Sequence, residues 1–330
     1  MASITTEAFK ASLKNAAALK PLYFITGTEP LLMIEAADCL RARARALGYE
    51  DRQVLEMRAN ADWSQLFDAA ASIGMFAPQK LLEVRLESAK PGTRGAKALQ
   101  EFAKLPPYEG VVVMLSIPLT DYAAAKTAWW KTLSKEASVM VSCDPLDRRS
   151  LPMWLAARLR ANGQSAAPEA LARFSDLVEG NLLAAKQEID KLGLLFGQGE
   201  LSLEQIESCV ANSSRFSADS LVDAIFAKDP ERAARIVDGL AAQGEPLPFL
   251  LAILTMKLRD VIRIHSPMPG EWISGGPNFK SAAKRMAPKR AAAALAVLAD
   301  IDKLAKGLTA PARDSDPWIE LKSVCLFLAR

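Results

Sequence analysis

The first residues that could do chemistry follow an apolar segment near the N-terminus. Leu22–Ile25 predicts a buried strand, and Gly27-Thr28-Glu29-Pro30 comes directly after it. Phosphate-binding loops at such a place use free backbone amides and a lysine against the β- and γ-oxygens of a nucleotide. This loop has one glycine and no lysine, an acid stands where phosphate would sit, and a proline removes an amide donor. We therefore expect no ATP hydrolysis and no cofactor.

The other reactive side chains form no recognisable catalytic or metal site. His265 is the only histidine, which removes most acid–base and metal-binding schemes, and the carboxylates are scattered singly along the chain. The strand pattern Leu81–Leu86 leads into Glu87-Ser88, so the acidic pair that holds magnesium in ATPases is missing. Four cysteines stand far apart, with no C-x-x-C pair. This is typical of reduced, mostly buried residues in a cytosolic protein. Intrinsic catalysis is not expected.

Composition favours a folded, multidomain chain. The 330 residues are 50% hydrophobic and 24% charged, with a net charge of +3, which is enough for two or three domains. Contact with nucleic acid must then come from a local patch. The longest uncharged apolar stretches are far shorter than a bilayer needs, and no signal-peptide pattern opens the chain. We therefore expect a cytoplasmic protein with no membrane partner.

The order of patterns predicts an α/β part followed by helices. Short apolar runs suggest five strands, and the helical segments between them imply a mainly parallel sheet with both faces covered. These strands are Leu22–Ile25, Gln53–Met57, Lys80–Leu86, Val111–Ser116 and Val139–Cys143. From about Asp144 only helical patterns remain. We place domains at 1–142, 143–212 and 213–330.

Two segments each have two interpretations. Met75 and Phe76, beside Gly74 and Pro78 at a helix–strand junction, are either core residues or an exposed hydrophobic plug that a partner would bury. A basic segment has no acid between Glu271 and Asp300. It is either a solvated face or a patch for phosphate backbones. Its cations are Lys280, Lys284, Arg285, Lys289 and Arg290. Pairs of them share a face if the region is helical, although Pro288 divides it.

Several motifs in order resemble the delta-subunit family of the bacterial DNA polymerase III clamp loader. The helix start Gly180-Asn181-Leu182-Leu183-Ala184 is the most specific of them. The others are Leu22–Leu32, Met75-Phe76-Ala77, Asp223–Phe226 and Gly244-Glu245-Pro246. The resemblance runs nearly end to end and implies a degenerate AAA+ module, with a five-stranded α/β domain and a small helical lid, followed by a helical collar domain. Nucleotide-competent relatives carry an arginine where Leu183 stands, so that phosphate sensor is also absent.

The resemblance implies a role in DNA replication as a subunit of a DNA-directed DNA polymerase (nucleotidyltransferase) holoenzyme. Family members bind the β sliding clamp through a hydrophobic plug and favour its opened ring. On the family motif Met75 and Phe76 carry the plug, with Ile73 supporting it. Ala71 stands where a glutamine often begins such motifs, which puts the polar part of the contact in doubt.

The implied partners are proteins and DNA. The collar would join the delta-prime and gamma/tau subunits, and primer–template DNA would pass inside the assembly, close to the basic segment and Arg313, in the cytoplasm at the bacterial nucleoid. Two rival functions predict different assays. An active AAA+ ATPase predicts nucleotide binding, and a stand-alone DNA-binding module predicts salt-dependent DNA affinity without partners.

Overall fold

The computed structural model describes residues 3–72, 78–119, 123–210, 213–267, 277–310 and 313–330, with the side chains of 277 and 278 left aside. The chain divides into two compact units, Met1–Leu151 (unit 1) and Pro152–Arg330 (unit 2). The first contains a parallel sheet and the second is mainly helical. The α/β part and the helical part expected from the sequence are both present. The finer division at 142 and 212 stays a prediction.

Unit 1 is built on a wholly parallel sheet in the order β1-β6-β2-β5-β4-β3. Its strands are β1 (Ile4–Thr5), β2 (Leu22–Gly27), β3 (Asp51–Met57), β4 (Lys80–Leu86), β5 (Val111–Pro118) and β6 (Val139–Cys143). The central strands are buried along their whole length or nearly so. Continuous apolar runs of this kind are typical of parallel strands covered on both faces.

The predicted count of five strands was wrong by one. Ile4 pairs with Val141 and Thr5 with Ser142, which adds β1 beside β6. A strand of two residues has no alternation that a sequence pattern could show. The five predicted strands are all present, and each ends within two residues of its predicted limit.

Helices cover both faces of this sheet. They are α1 (Thr6–Lys14), α2 (Pro30–Ala46), α3 (Ser64–Ala71), α4 (Gly92–Lys104) and α5 (Ala128–Glu136). On one face α3, α4 and α5 pack against alternate residues of β2, β4 and β5, where the ring of Phe24 meets that of Trp130 at 4.9 Å. On the other face α1 and α2 lie over β2 and β6, and Phe9 contacts Tyr23. The Trp129-Trp130 pair is therefore part of the core.

Unit 2 is a set of helices with one short pair of strands. The helices are α6 (Leu151–Ala161), which begins at the unit boundary, α7 (Pro168–Val178), α8 (Leu182–Phe196), α9 (Leu203–Cys209), α10 (Ala218–Phe226), α11 (Pro230–Ala242), α12 (Leu247–His265), α13 (Pro277–Ala283), α14 (Pro288–Ala305) and α15 (Pro317–Ala329). Many begin with proline. Proline suits the first turn because an N–H at that position would have no hydrogen-bond partner within the helix. The expectation of helices alone was wrong at β7 (Gln164–Ala166) and β8 (Gly199–Leu201), which pair in parallel.

The core of unit 2 joins helices that are distant in sequence. Residues of α10, α11, α12, α14 and α15 form one continuous apolar cluster, including Leu221, Ile236, Leu254, Leu298 and Leu321. Among the residues that the structure describes, no helix is both long and apolar enough to cross a bilayer.

Candidate functional site

The loop after β2 lies at the edge where the parallel strands end. Gly27 has a φ of +152°, and a Cβ atom there would lie 2.1 Å from the carbonyl oxygen of Cys143. The backbone N–H of Glu29 donates to that same oxygen at 3.0 Å. The loop therefore passes directly against the end of β6, which only glycine permits.

The carboxylate of Glu29 is buried and caps α2. Its Oε1 accepts a hydrogen bond from the N–H of Leu31 at 3.2 Å. Burial raises the pKa of Glu29, and the hydrogen bond from Leu31 offsets part of that effect. Amides in the first turn of a helix are the groups that bind phosphate in nucleotide sites. Since a side-chain carboxylate takes this amide, the loop presents a like charge to a phosphate.

In the sequence, the predicted plug belongs to the connection between α3 and β4. Ile73, Met75 and Phe76 lie outside the residues that the structure describes. Both flanks of this connection are described. α3 ends at Ala71 and is followed by Ser72, and β4 begins at Lys80, whose backbone N–H donates to the oxygen of Gly110 at 2.8 Å.

A buried lysine holds the first flank. The side chain of Lys80 is only 3% exposed, and its Nζ donates to the carbonyl oxygens of Ala69 at 2.9 Å and Ser72 at 2.6 Å. Carbonyls at the end of a helix lack intrahelical partners and carry partial negative charge. The ammonium satisfies two of these groups, so the chain is fixed at Ser72, one residue before Ile73.

The Glu179-Gly180-Asn181 turn connects distant parts of unit 2. Gly180 has a φ of +73°, and a Cβ atom there would meet the backbone oxygen of Arg215 at 2.1 Å. Asn181 caps α8 by accepting from the N–H of Ala184 at 3.1 Å, and it donates to the oxygen of Ser213. Gly180 and Asn181 of the motif thus both have structural roles.

Glu179 extends this connection to α11. Its Oε1 accepts two hydrogen bonds from Arg232, at 2.5 Å from Nη2 and 3.0 Å from Nε, and both side chains are largely buried. Hydrogen bonds between two charged groups are among the stronger side-chain contacts, and here both donors of Arg232 share one carboxylate oxygen. The sequence predicted only a packing helix here, because Arg232 is 53 positions away.

The basic segment is divided as Pro288 suggested. Lys280 lies on α13, Lys284 and Arg285 lie in the turn that follows, and Lys289 is in the first turn of α14. All four side chains are exposed. Within the described part of the chain, none of them has an ion-pair or hydrogen-bond partner. They remain available to an anion.

Two further cations of the predicted DNA patch have structural partners. Arg290 is half-buried; its guanidinium lies 4.8 Å from the ring centre of Phe327 and donates to the carbonyl oxygen of that residue. Arg313 makes ion pairs with Asp300 at 3.4 Å and Glu320 at 3.6 Å. A DNA role for either residue stays a prediction.

One cation near this patch was missed. Lys228, two residues after the end of α10, lines the same cleft as Arg285 and Arg290. It is more than fifty positions away along the chain, so only the tertiary fold reveals the grouping. Its surroundings are described below.

The remaining His, Cys, Asp and Glu side chains that the structure describes offer no metal site. Within the described ranges, no three side chains of His, Cys, Asp or Glu could together hold a metal ion. His265, at the end of α12, uses Nδ1 in a hydrogen bond with the oxygen of Val261 at 2.9 Å. This is a local helix-end contact.

The chain is similar to known replication proteins. Residues 23–144 match the sequence model of the family described as DNA polymerase III, delta subunit. The Haemophilus influenzae DNA polymerase III subunit delta is 27% identical over 310 residues, which cover 87% of this chain and 90% of that protein. The Escherichia coli DNA polymerase III subunit delta is 28% identical over 255 residues, covering 76% of this chain and 74% of that protein.

A solved structure, the Bacillus subtilis DNA clamp loader delta protein, aligns with a TM-score of 0.49 and 18% identity. The alignment covers 98% of this chain and all of that one. The family match and the two sequence relatives confirm the resemblance to DNA polymerase III delta subunits.

Proposed function

Because the chain resembles the delta subunit of DNA polymerase III, we propose that it is the clamp-loader subunit that binds the β sliding clamp and favours its opened ring during DNA replication. The observation that carries this proposal is the similarity to two relatives named DNA polymerase III subunit delta over most of the chain. Glu29 supports a role without ATP hydrolysis, because its carboxylate takes the amide that a phosphate would need.

The clamp-binding element is the segment of Ile73, Met75 and Phe76. Met75 and Phe76 would enter an apolar cleft on the clamp, and Ile73 would support them. Burying a side chain of this size contributes roughly 1.5–3 kcal/mol, and methionine adapts to irregular apolar surfaces. The contacts of Lys80 with Ala69 and Ser72 support this proposal, because they hold the chain just before the plug.

Ring opening would follow from differential binding alone. A subunit that binds the opened ring better than the closed ring moves that equilibrium without hydrolysing anything. Moving it from 1:99 to 99:1 needs about 10⁴-fold tighter binding to the opened ring, or about 5.5 kcal/mol. The contacts of the two anchors would contribute to this shift only as far as they are tighter with the opened ring. ATP in the partner subunits would control when the plug reaches the clamp.

The other partners follow from the resemblance. The module would be a degenerate AAA+ architecture in which residues 213–330 form a collar with delta-prime and the gamma/tau subunits. The assembled loader would hold primer–template DNA in the cytoplasm, at the nucleoid. Lys280, Lys284, Arg285 and Lys289 support a DNA contact because they are exposed and unpaired within the described residues.

Binding to the purified β clamp tests the proposal directly. We expect Met75→Ala/Phe76→Ala to weaken clamp affinity by about 100-fold or more, since the two anchors together contribute at least about 3 kcal/mol. The matched control is Phe249→Ala/Met256→Ala, which also removes one exposed phenylalanine and one exposed methionine, both from α12. That control should leave clamp affinity unchanged. Circular dichroism checks that each variant is folded.

Each outcome has a distinct meaning. Loss of binding in the first variant alone supports both the function and the location of the plug. Equal binding by all three proteins retains the function and refutes Met75 and Phe76 as the plug. No binding by the wild-type protein refutes clamp binding itself.

A further inference from the structure

A cleft in unit 2 places three cationic side chains around an apolar surface. It has a volume of about 140 Å³ and lies where the end of α10, the turn between α13 and α14 and the end of α15 meet. Phe226, Met286 and Leu328 form its apolar part. Lys228, Arg285 and Arg290 also line it.

The cations of this cleft lack a matching negative charge. Within the described ranges, the side chains of Lys228 and Arg285 have neither an ion pair nor a hydrogen bond. The Nε of Arg290 is buried and has no partner there either. Asp229, beside Lys228 in sequence, caps α11 by accepting from the N–H of Arg232 at 3.0 Å. Among the described residues, no carboxylate lines the cleft.

The backbone places Lys228 at the cleft in an unusual conformation. Its φ is +58°, in the left-handed region that residues other than glycine, asparagine and aspartate seldom adopt. Two hydrogen bonds close the end of α10 around it: Lys228 N–H to the oxygen of Ile225 and Asp229 N–H to the oxygen of Ala224, at 3.1 and 3.0 Å. The helix end therefore fixes where this lysine stands.

Helix α14 adds positive potential at the other side. It is 18 residues long and begins beside the cleft at Ala287, which has no side chain that could cap it. The N-terminal end of a helix carries partial positive charge from its unpaired amides. Three side-chain cations and this helix end therefore converge on one small space.

We propose that this cleft binds a phosphate ester, with the phosphate against Lys228, Arg285 and Arg290 and the organic group against Phe226 and Met286. A phosphate monoester fits better than a carboxylate, because it carries close to two negative charges and offers three acceptor oxygens to the three cations. A DNA backbone phosphate is a diester with a single negative charge, so it matches the three cations less fully than a monoester does. The source is either a DNA backbone phosphate or a free nucleotide. Only for the DNA source does the inference rest on the proposed function.

Titration of the full-length chain separates the two sources. The probes are inorganic phosphate, thymidine monophosphate and a short fluorescein-labelled oligo(dT). The variant is Lys228→Asn/Arg285→Gln, in which asparagine tolerates the left-handed backbone. The control, Lys97→Asn/Lys135→Gln, removes the same charge from exposed positions of unit 1. Arginine Nε–Hε resonances report phosphate binding, and fluorescence anisotropy reports oligonucleotide binding.

We expect the double variant to bind the oligonucleotide at least fivefold more weakly than wild type. Its slope of log affinity against log salt should be shallower by about 0.7, since one phosphate neutralised on a single strand contributes about that much. The control should keep the slope. Loss of both phosphate and oligonucleotide binding supports a DNA source, and loss of phosphate and monophosphate binding alone supports a free nucleotide.

Equal behaviour of variant and control with every probe overturns the proposal. Clamp binding, measured on the same proteins, should be the same in wild type and both variants. If clamp binding fails in all of them while phosphate still binds in the cleft, the proposed function is refuted and the cleft stands. The two failures are therefore distinguishable.

Discussion

Replacing Glu83 with glutamine should destabilise unit 1 strongly at neutral pH. The side chain of Glu83 on β4 is fully buried. Arg41 of α2 donates to it at 2.6 and 3.0 Å, Arg52 of β3 at 2.5 and 3.2 Å, and Arg85 at 3.0 Å. Glu83→Gln keeps the shape of the side chain and removes the single charge that three guanidinium groups share.

The magnitude follows from the pKa of this carboxyl. Burial alone would raise the pKa of Glu83, but the hydrogen bonds from Arg41, Arg52 and Arg85 outweigh it and hold the pKa at about 2, against an ordinary value of 4.5. At about 1.4 kcal/mol for each pKa unit, this corresponds to about 3 kcal/mol. Breaking a buried ion pair from one side typically costs a similar amount, about 3–5 kcal/mol.

The pH dependence has a definite sign. An acid whose pKa is lower in the folded state stabilises the fold above its unfolded pKa, and that stability is lost as pH falls through the folded value. The difference between wild type and Glu83→Gln should therefore be about 3 kcal/mol at pH values well above 4.5. It should shrink as the pH falls from there towards 2.

Urea unfolding over this pH range provides the measurement, with hydrogen exchange of the β4 amides assigning the effect to unit 1. Glu56→Gln, at an exposed position of the neighbouring strand β3, is the control and should change stability by less than about 0.5 kcal/mol. A loss below about 1 kcal/mol for Glu83→Gln at neutral pH, or a loss that does not vary with pH, would refute the reasoning.

Three other substitutions test single contacts. Lys80→Met leaves the oxygens of Ala69 and Ser72 without their donor. It should destabilise the end of α3 by about 1–3 kcal/mol and weaken clamp binding, and Lys80→Arg should retain more of both; clamp titration and hydrogen exchange of α3 check this. Gly180→Ala should lower the stability of unit 2 by more than about 2 kcal/mol in urea unfolding, because its Cβ meets the oxygen of Arg215 at 2.1 Å. Glu29→Gln should leave stability at neutral pH unchanged or raise it, because burial raises the pKa of this carboxyl and its ionised form is disfavoured in the fold; a loss above about 1 kcal/mol in urea would contradict this.

Most of the sheet could be predicted from sequence because its strands are buried on both faces. Val111–Ser116 is a continuous apolar run that needs no tertiary information to be identified. β1, β7 and β8 could not be found in this way. They are two or three residues long, and they pair through backbone groups with segments far away in the chain.

Sequence reasoning missed more of the candidate sites than of the sheet, because the contacts in those sites join residues that are distant in sequence. The sequence predicted the turn at Gly180, because glycine followed by asparagine is a local signal. It could not predict the contact of Glu179 with Arg232 or the cleft that joins Lys228 to Arg285, because both depend on how helices pack. One local signal near Lys228 was available: the next two residues, Asp229-Pro230, are typical of a new helix start, so α10 must end before this lysine.

The two ends of the strands in unit 1 relate differently to the proposed clamp-binding role. Proteins with open parallel sheets generally bind ligands at the edge where strands end. Here that edge is closed around β2, because Gly27 lies against Cys143 and the carboxylate of Glu29 takes the amide of Leu31. The connection proposed to bind the clamp follows the end of α3, where the buried side chain of Lys80 holds the oxygens of Ala69 and Ser72. For the proposed clamp-binding role, differential affinity for the two states of the ring would be enough.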